Sequence, residues 1–357
     1  MHLGFGLYRH QLDREHYRFA RQCGATHLVI HLVDYFNQGA KASDQPVSGG
    51  RGGGWGMAGD PDAVWTVDQL ATIQKEAASE GLTLYAIENF DPAHWHDVLL
   101  AGPQRDAQIE GICSLLRAMG TVGIPCMGYN FSLAGVYGRV TGEWARGQAG
   151  GVGMAGLIDQ EPMLDGMVWN MTFDASATGT AERTRVSSQE LWERLAYFLN
   201  AVLPVAEAAG VRLCAHPDDP PVERIRDTPR LVIRPELYQR LIELNPSPAN
   251  GLEFCLGTLT EMPESAMDIY QATRHYAAQE RIGYIHFRNV RGKVPHYQEV
   301  FIDEGDIDMR RIVQILRETN YEGVLIPDHA PQMTCGAPWH AGMAHAMGYM
   351  LALLSEA

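Results

Sequence analysis

Four residues able to bind a divalent metal ion each stand at the end of a short apolar run. They are His216 in Ala215-His216-Pro217-Asp218-Asp219, Cys255 in Glu253-Phe254-Cys255-Leu256-Gly257, His286 in Tyr284-Ile285-His286-Phe287-Arg288, and Asp328 in Ile326-Pro327-Asp328-His329. Two imidazoles, a thiolate and a carboxylate form a mixed donor set suited to a first-row transition metal. The four are separated by 39, 31 and 42 positions, and each interval has room for a strand, a helix and two loops. A parallel barrel brings successive strand ends to one mouth, so the spacing predicts that these side chains converge there.

The elements that must position them are legible as alternating patterns. Apolar runs at 211–216, 252–256, 282–287 and 323–327 suit buried parallel strands. In the amino half the runs are at 3–8, 27–33, 82–88 and 122–129. Helical spacing lies between them, near 12–23, 66–80, 104–119, 187–209, 264–280, 308–319 and 338–354. Thr66 with Gln69 and Ser187 with Glu190 match a capping box, Gly81 and Gly210 stand at left-handed helix ends, and Asp306 or Asp308 caps the helix that follows. Eight alternating units predict a (β/α)8 TIM barrel in a single domain over 1–357, ahead of a doubly wound open sheet.

Two insertions, 37–62 and 132–186, exceed ordinary loop lengths and follow strands, which places them at the catalytic face. They read either as flexible surface loops or as lids over a substrate, with Trp55 or Trp169 as apolar covers. The glycine-rich run around Gly49 to Gly56 lacks the GxxxxGK[ST] pattern and a helix directly after it, so it is no phosphate loop.

Composition narrows the function classes. With 46% hydrophobic and 20% charged residues the chain can bury a substantial core. A formal charge of −15 disfavours nucleic acid and anionic membrane as partners. Six cysteines without paired spacing suggest reduced thiols. With no signal core and no membrane-length apolar run, the expected location is cytoplasmic.

His216-Pro217-Asp218-Asp219-Pro220-Pro221 is a specific segment, and on it the chain resembles the D-mannonate dehydratase family. Further matches follow in order through the carboxyl half: Ala249-Asn250-Gly251, Cys255-x-Gly257, His286-x-Arg288, Gly305-Asp306-x-Asp308-Met309 and Pro327-Asp328-His329-x-x-Gln332-Met333. Weaker ones lie at Gly24-Ala25-Thr26, at Glu88 and at Tyr129-Asn130-Phe131. The resemblance implies a xylose-isomerase-like barrel that eliminates water from an aldonate, giving a 2-keto-3-deoxy acid. It implies a divalent cofactor, Mn2+ first and Fe2+ as the alternative, on ligands that match His216, Cys255, His286 and Asp328. The partner expected is a small sugar acid, and barrels of this class often associate, which makes a homo-oligomer an open expectation. The chain departs from the family pattern at Ile326, where the family has Arg, at Trp339, near a family Tyr, and at Gln298 and Ile302, where the family has His.

Removing a proton alpha to a carboxylate builds negative charge that a divalent cation stabilises, and an acid must then protonate the departing hydroxyl. His329, beside Asp328, is the first proton-transfer candidate; otherwise it only hydrogen-bonds a neighbouring loop. Arg288, on the same strand side as His286, is a candidate clamp for a substrate carboxylate, or else a salt-bridge partner of Glu253 or Asp218. Glu88 is a catalytic candidate for proton shuttling; Asn130 and His31, at other strand ends, are candidates for binding substrate hydroxyls. Asp218 and Asp219 are candidates for orienting the ligand imidazoles, and Tyr137 or His340 for supplying an acid. Two other activities fit the same residues: a metal-dependent sugar or uronate isomerase or epimerase, and a catalytically degenerate sugar-binding protein.

Overall fold

In the computed structural model, which describes residues 1–35, 64–135, 140–155, 171–174 and 182–356, the eight apolar runs form eight strands. They are β1 (His2–Leu7), β2 (His27–His31), β3 (Thr83–Glu88), β4 (Cys126–Tyr129), β5 (Arg212–Ala215), β6 (Asn250–Cys255), β7 (Ile282–His286) and β8 (Val324–Ile326). Each pairs in parallel with its sequence neighbours, and β8 pairs with β1, so the sheet closes into a barrel. This is the (β/α)8 architecture expected from the sequence.

Residues alternate across each strand. Val29, Ala86, Cys126, Cys214, Tyr284, Val324 and Ile326 pack together inside the barrel. Their strand neighbours, such as Leu28, Ile87, Met127, Leu213, Phe254 and Ile285, pack in the separate, larger core that includes the helices. Those helices are α1 (Arg14–Gln22), α2 (Val67–Ser79), α3 (Pro92–Leu100), α4 (Arg105–Val122), α5 (Ser188–Ala209), α6 (Leu237–Leu244), α7 (Leu256–Glu261), α8 (Ile269–Ala278), α9 (Met309–Glu318) and α10 (Pro338–Ser355). Helix α5 shows the logic: Leu191, Leu195, Phe198, Val202 and Ala206 recur at helical spacing and are all buried. Capping boxes at Thr66 and Ser187 start α2 and α5, and Asp308 rather than Asp306 caps α9. Asp306 instead accepts a hydrogen bond from the Gly292 backbone N–H.

Three features differ from the sequence reading. The run at 122–129 yields a strand only from Cys126, because α4 continues to Val122 and Gly123 ends it. Helices α3, α6 and α7 add short turns within the loops. Within 132–186, Val140–Ala145 and Ala149–Ala155 form an antiparallel hairpin, which extends through His296–Glu299 to Val290–Lys293 as a four-stranded sheet. A Cβ at Gly151 would sit 2.7 Å from the Glu299 carbonyl oxygen, so a side chain would obstruct this pairing. The 37–62 insertion, Trp55, Trp169 and Tyr137 lie outside the described residues.

Candidate metal centre

Cys255 ends β6 and caps α7, so its sulfur accepts hydrogen bonds from the Thr258 backbone N–H at 3.4 Å and the Thr258 hydroxyl at 3.2 Å. Burial would raise the thiol, yet Arg288, His216 and His286 hold it well below the usual range, which favours the thiolate that metals bind. His216 follows β5, and its Nδ1–H donates to the Pro217 carbonyl at 2.6 Å, a tautomer that leaves Nε2 free to ligate. His286 ends β7 with Nε2 3.1 Å from both Glu88 and Glu253, while Nδ1 lies 3.4 Å from Asp328. Asp328 follows β8 with φ at +60°, a left-handed backbone that turns the chain immediately after the strand. Burial works against its charge, but His286, His329 and Arg288 hold the carboxyl well below the ordinary range.

Donor atoms of His216, Cys255 and His286 lie within 4.8 Å of one another. Asp328 adjoins this group, 3.4 Å from His286 Nδ1, so an oxygen donor stands beside the two nitrogens and the sulfur. The donor chemistry therefore fits a divalent transition metal.

The other candidates are placed as follows. His329 Nδ1 lies 3.0 Å from Glu299 and its Nε2 3.2 Å from Asp328. Glu88 spans two imidazoles, with His286 at 3.1 Å and His31 at 3.6 Å. Burial would raise its pKa, yet His31 and His286 pull it down. His31 Nδ1 lies 3.0 Å from the Tyr35 hydroxyl. Asn130 is buried with Nδ2 donating to the Pro217 carbonyl at 3.4 Å, and its Oδ1 has no hydrogen-bond partner among the described residues.

Arg288 requires a correction. Its Nη1 donates to Glu261 at 2.8 Å and Glu299 at 3.1 Å, its Nη2 donates to Asp219 at 3.0 Å and Thr258 at 3.1 Å, and its Nε lies 3.1 Å from Asp328. Both Nη groups are given wholly to protein oxygens and Nε–H makes no hydrogen bond among the described residues, which leaves no two-pronged fork for a substrate carboxylate. The partners also differ from the Glu253 and Asp218 considered from sequence. A Cβ at Gly257 would sit 2.5 Å from the Arg288 Cζ, which explains the glycine two residues after Cys255. Asp218 binds Arg230 and the Leu231 and Val232 N–H groups, and Asp219 binds Arg288 and Thr258, so these contacts commit them to neighbours other than the ligand imidazoles. Trp339 is buried against Phe5 and Phe19, and Ile326 fills the barrel interior, so the two departures face packed core. His340 packs edge-on against Trp339 and Phe19.

Sequence reasoning missed Glu253, Glu299 and Tyr8. Glu253 lies two residues before Cys255 on one strand, so the period of two was a usable signal. Tyr8 directly follows β1 and its ring lies tilted against His31 with centroids 4.8 Å apart; Glu299 ends the strand His296–Glu299, with no spacing signal toward the site.

Fold and side-chain geometry define a (β/α)8 barrel with a candidate metal-binding group of imidazole and thiolate donors at its mouth. A family model for D-mannonate dehydratase (UxuA) matches residues 40–350. Mannonate dehydratase from Oceanobacillus iheyensis is 32% identical over 293 residues, covering 78% of this chain and 81% of that protein. The Streptococcus suis (strain 05ZYH33) mannonate dehydratase is 31% identical over 283 residues, 74% of each. The crystal structure of mannonate dehydratase from S. suis serotype 2 superposes with a TM-score of 0.75 at 25% identity, over 99% of this chain and 92% of that one. An E. coli 3-keto-D-glucoside 4-epimerase, at 13% identity and TM-score 0.56, shares the fold. The chain belongs to the D-mannonate dehydratase family and is a hydro-lyase.

Proposed function

We propose that the chain eliminates water from D-mannonate to give a 2-keto-3-deoxy acid, at a centre in which His216, Cys255, His286 and Asp328 hold one divalent cation, Mn2+ ahead of Fe2+. The single observation that supports this is the convergence of His216, Cys255 and His286 from three strand ends, with donor atoms within 4.8 Å of one another and Asp328 3.4 Å from His286. A cation bound there supplies Lewis-acid stabilisation for negative charge developing on substrate carboxylate and hydroxyl oxygens.

The balance of the reaction requires that the C2–H and C3–O bonds break. The C2 proton is taken by a base, the C3 hydroxyl leaves with an added proton as water, and the resulting enol tautomerises to the ketone. His329 carries the proton to the leaving hydroxyl, with Glu299 on Nδ1 holding its ring. Glu88, between His31 and His286, serves to orient both imidazoles. Asn130 Oδ1 accepts a hydrogen bond from a substrate hydroxyl. Arg288 acts as the cation at the centre of Asp219, Glu261, Glu299 and Asp328, and so sets the geometry of the ligand carboxylate. Among the described residues no helix is long and apolar enough to cross a membrane, and the cysteines are free.

Reconstitution tests this. Chelator-stripped protein is expected to be inactive on D-mannonate and to recover on adding one equivalent of Mn2+; full turnover by stripped protein would sink the proposal. The affinity should also depend on pH. In the metal-free site burial would lower His216, but Glu253 and Cys255 raise it to about 9, and carboxylates likewise raise His286. Both rings then hold a proton near neutrality that metal must displace. Mn2+ binding should tighten as pH rises from 6 to 8, by about tenfold per pH unit for each proton displaced. Titration calorimetry in buffers of different ionisation enthalpy measures that release, and a pH-independent Kd would contradict it.

A further inference from the structure

His31 closes β2 at the barrel mouth, is 8% exposed and is packed by two aromatic rings. The Tyr8 ring lies tilted against it with centroids 4.8 Å apart, and the Tyr35 ring meets it edge-on at 5.6 Å. Its two nitrogens have different surroundings. Nδ1 lies 3.0 Å from the Tyr35 hydroxyl, whereas Nε2 faces Glu88 Oε1 at 3.6 Å, longer than a hydrogen bond. The Tyr35 hydroxyl oxygen also accepts from Asn89 Nδ2 at 2.9 Å, which directs the hydroxyl's own hydrogen to His31 Nδ1. Burial disfavours the charged imidazolium, and a neutral ring that accepts at Nδ1 carries its proton on Nε2. Asn89 is itself held in place: its backbone N–H donates to the Gly128 carbonyl at 2.9 Å, and its φ of +67° is a left-handed conformation that asparagine tolerates.

We propose that Asn89 and Tyr35 are positioning residues that hold His31 with its proton on Nε2, as a fixed donor to a hydroxyl oxygen of the sugar acid. The inference rests on the reading that the barrel mouth takes a sugar acid such as D-mannonate. A ring free to exchange tautomers presents a donor at one moment and an acceptor at the next, and so reads a hydroxyl poorly. Here the Tyr35 hydroxyl removes the exchange, and the Tyr8 and Tyr35 rings limit the pivoting. The sequence pattern agrees with the geometry: Tyr35 stands four residues beyond His31 on the chain leaving β2, and Asn89 directly follows the last residue of β3.

Two readouts test this. The first is nitrogen NMR of the metal-free full-length protein with labelled imidazoles, the His31 signals being identified by their loss in H31A. The second is steady-state kinetics of Mn2+-loaded wild type, Y35F, N89A, H31A and the H31A/Y35F double variant on D-mannonate, with unfolding midpoints alongside. The expected spectrum shows the His31 proton on Nε2 in wild type and a mixture of both tautomers in Y35F. In kinetics, Y35F should raise KM by about 3- to 10-fold, the loss of one neutral hydrogen bond, with kcat within about twofold. N89A should act in the same direction, and Y35F should add less than about 1.5-fold once His31 is alanine. A purely structural role for Tyr35 would lower the midpoint while leaving KM and the ring signals unchanged, and that result would overturn the inference. So would a proton on Nδ1 in wild type, or a Y35F effect on KM equally large in the H31A background. Absence of turnover by wild type would overturn the sugar-acid reading instead, and the ring signals of wild type and Y35F would still decide the positioning of His31.

Discussion

Cys255→Ser is expected to leave a folded protein that has lost most of its metal and at least about 10³-fold of its turnover on D-mannonate, corresponding to ~4 kcal/mol of transition-state stabilisation. Serine is the informative replacement because Cys255 has two jobs. As the residue capping α7 it accepts from the Thr258 N–H and hydroxyl, and serine is a good acceptor in that position. As a thiol held low by Arg288 and two histidines it is the soft donor of the proposed set, and a serine hydroxyl cannot ionise comparably. The cap is kept and the donor removed. Metal content by elemental analysis, with the unfolding midpoint of the metal-free protein as control, separates the two roles. A C255S protein with full metal and near-wild-type turnover would remove Cys255 from the centre.

The largest effect on stability is expected from Arg288→Leu. Arg288 is 4% exposed and faces four buried or largely buried carboxylates, Asp219, Glu261, Glu299 and Asp328. Breaking one buried ion pair by removing a partner costs ~3–5 kcal/mol, and here one deletion strands several anions. The midpoint should fall by about 10 °C or more, and much of the protein should be insoluble. Lysine should rescue little, since a single ammonium cannot reproduce five N–H groups in a fixed plane. The pH dependence has a definite sign. Removing the guanidinium makes protonation of the carboxylates it faced more favourable than in wild type, so the R288L folded state binds more protons than the wild-type one and the deficit narrows as pH falls from 7 to 5. Thermal unfolding across that range is the check; a midpoint within about 2 °C of wild type at pH 7 would contradict the network's importance.

Much of this molecule is legible in its sequence for a simple reason. Strands buried on both faces read as short apolar runs, and a barrel places the residue that closes each run at one mouth, so Glu88, Asn130, His216, Cys255, His286 and Asp328 stood out together. What was not legible depends on contacts between distant segments. The partners of Arg288 come from α7, from the loop after β5, from the hairpin after β7 and from the turn after β8; no spacing rule links them. Helices α3, α6 and α7 are short and lie within longer connections, where periodicity has few turns to register. The glycines between Gly147 and Gly156 look like loop sequence, yet most of them lie in the strand Ala149–Ala155, which packs against His296–Glu299. Trp339 read from the sequence as a departure near a family Tyr, and the helix register of α10 turns its indole into the core with Phe5 and Phe19.

The most direct measurement is product analysis by NMR of D-mannonate incubated with the Mn2+-loaded protein. The expected result is loss of mannonate matched by a 2-keto-3-deoxy acid, with no conversion by C255S. An isomeric sugar acid of unchanged mass, or no conversion at all with one Mn2+ per chain confirmed, would contradict water elimination at this centre.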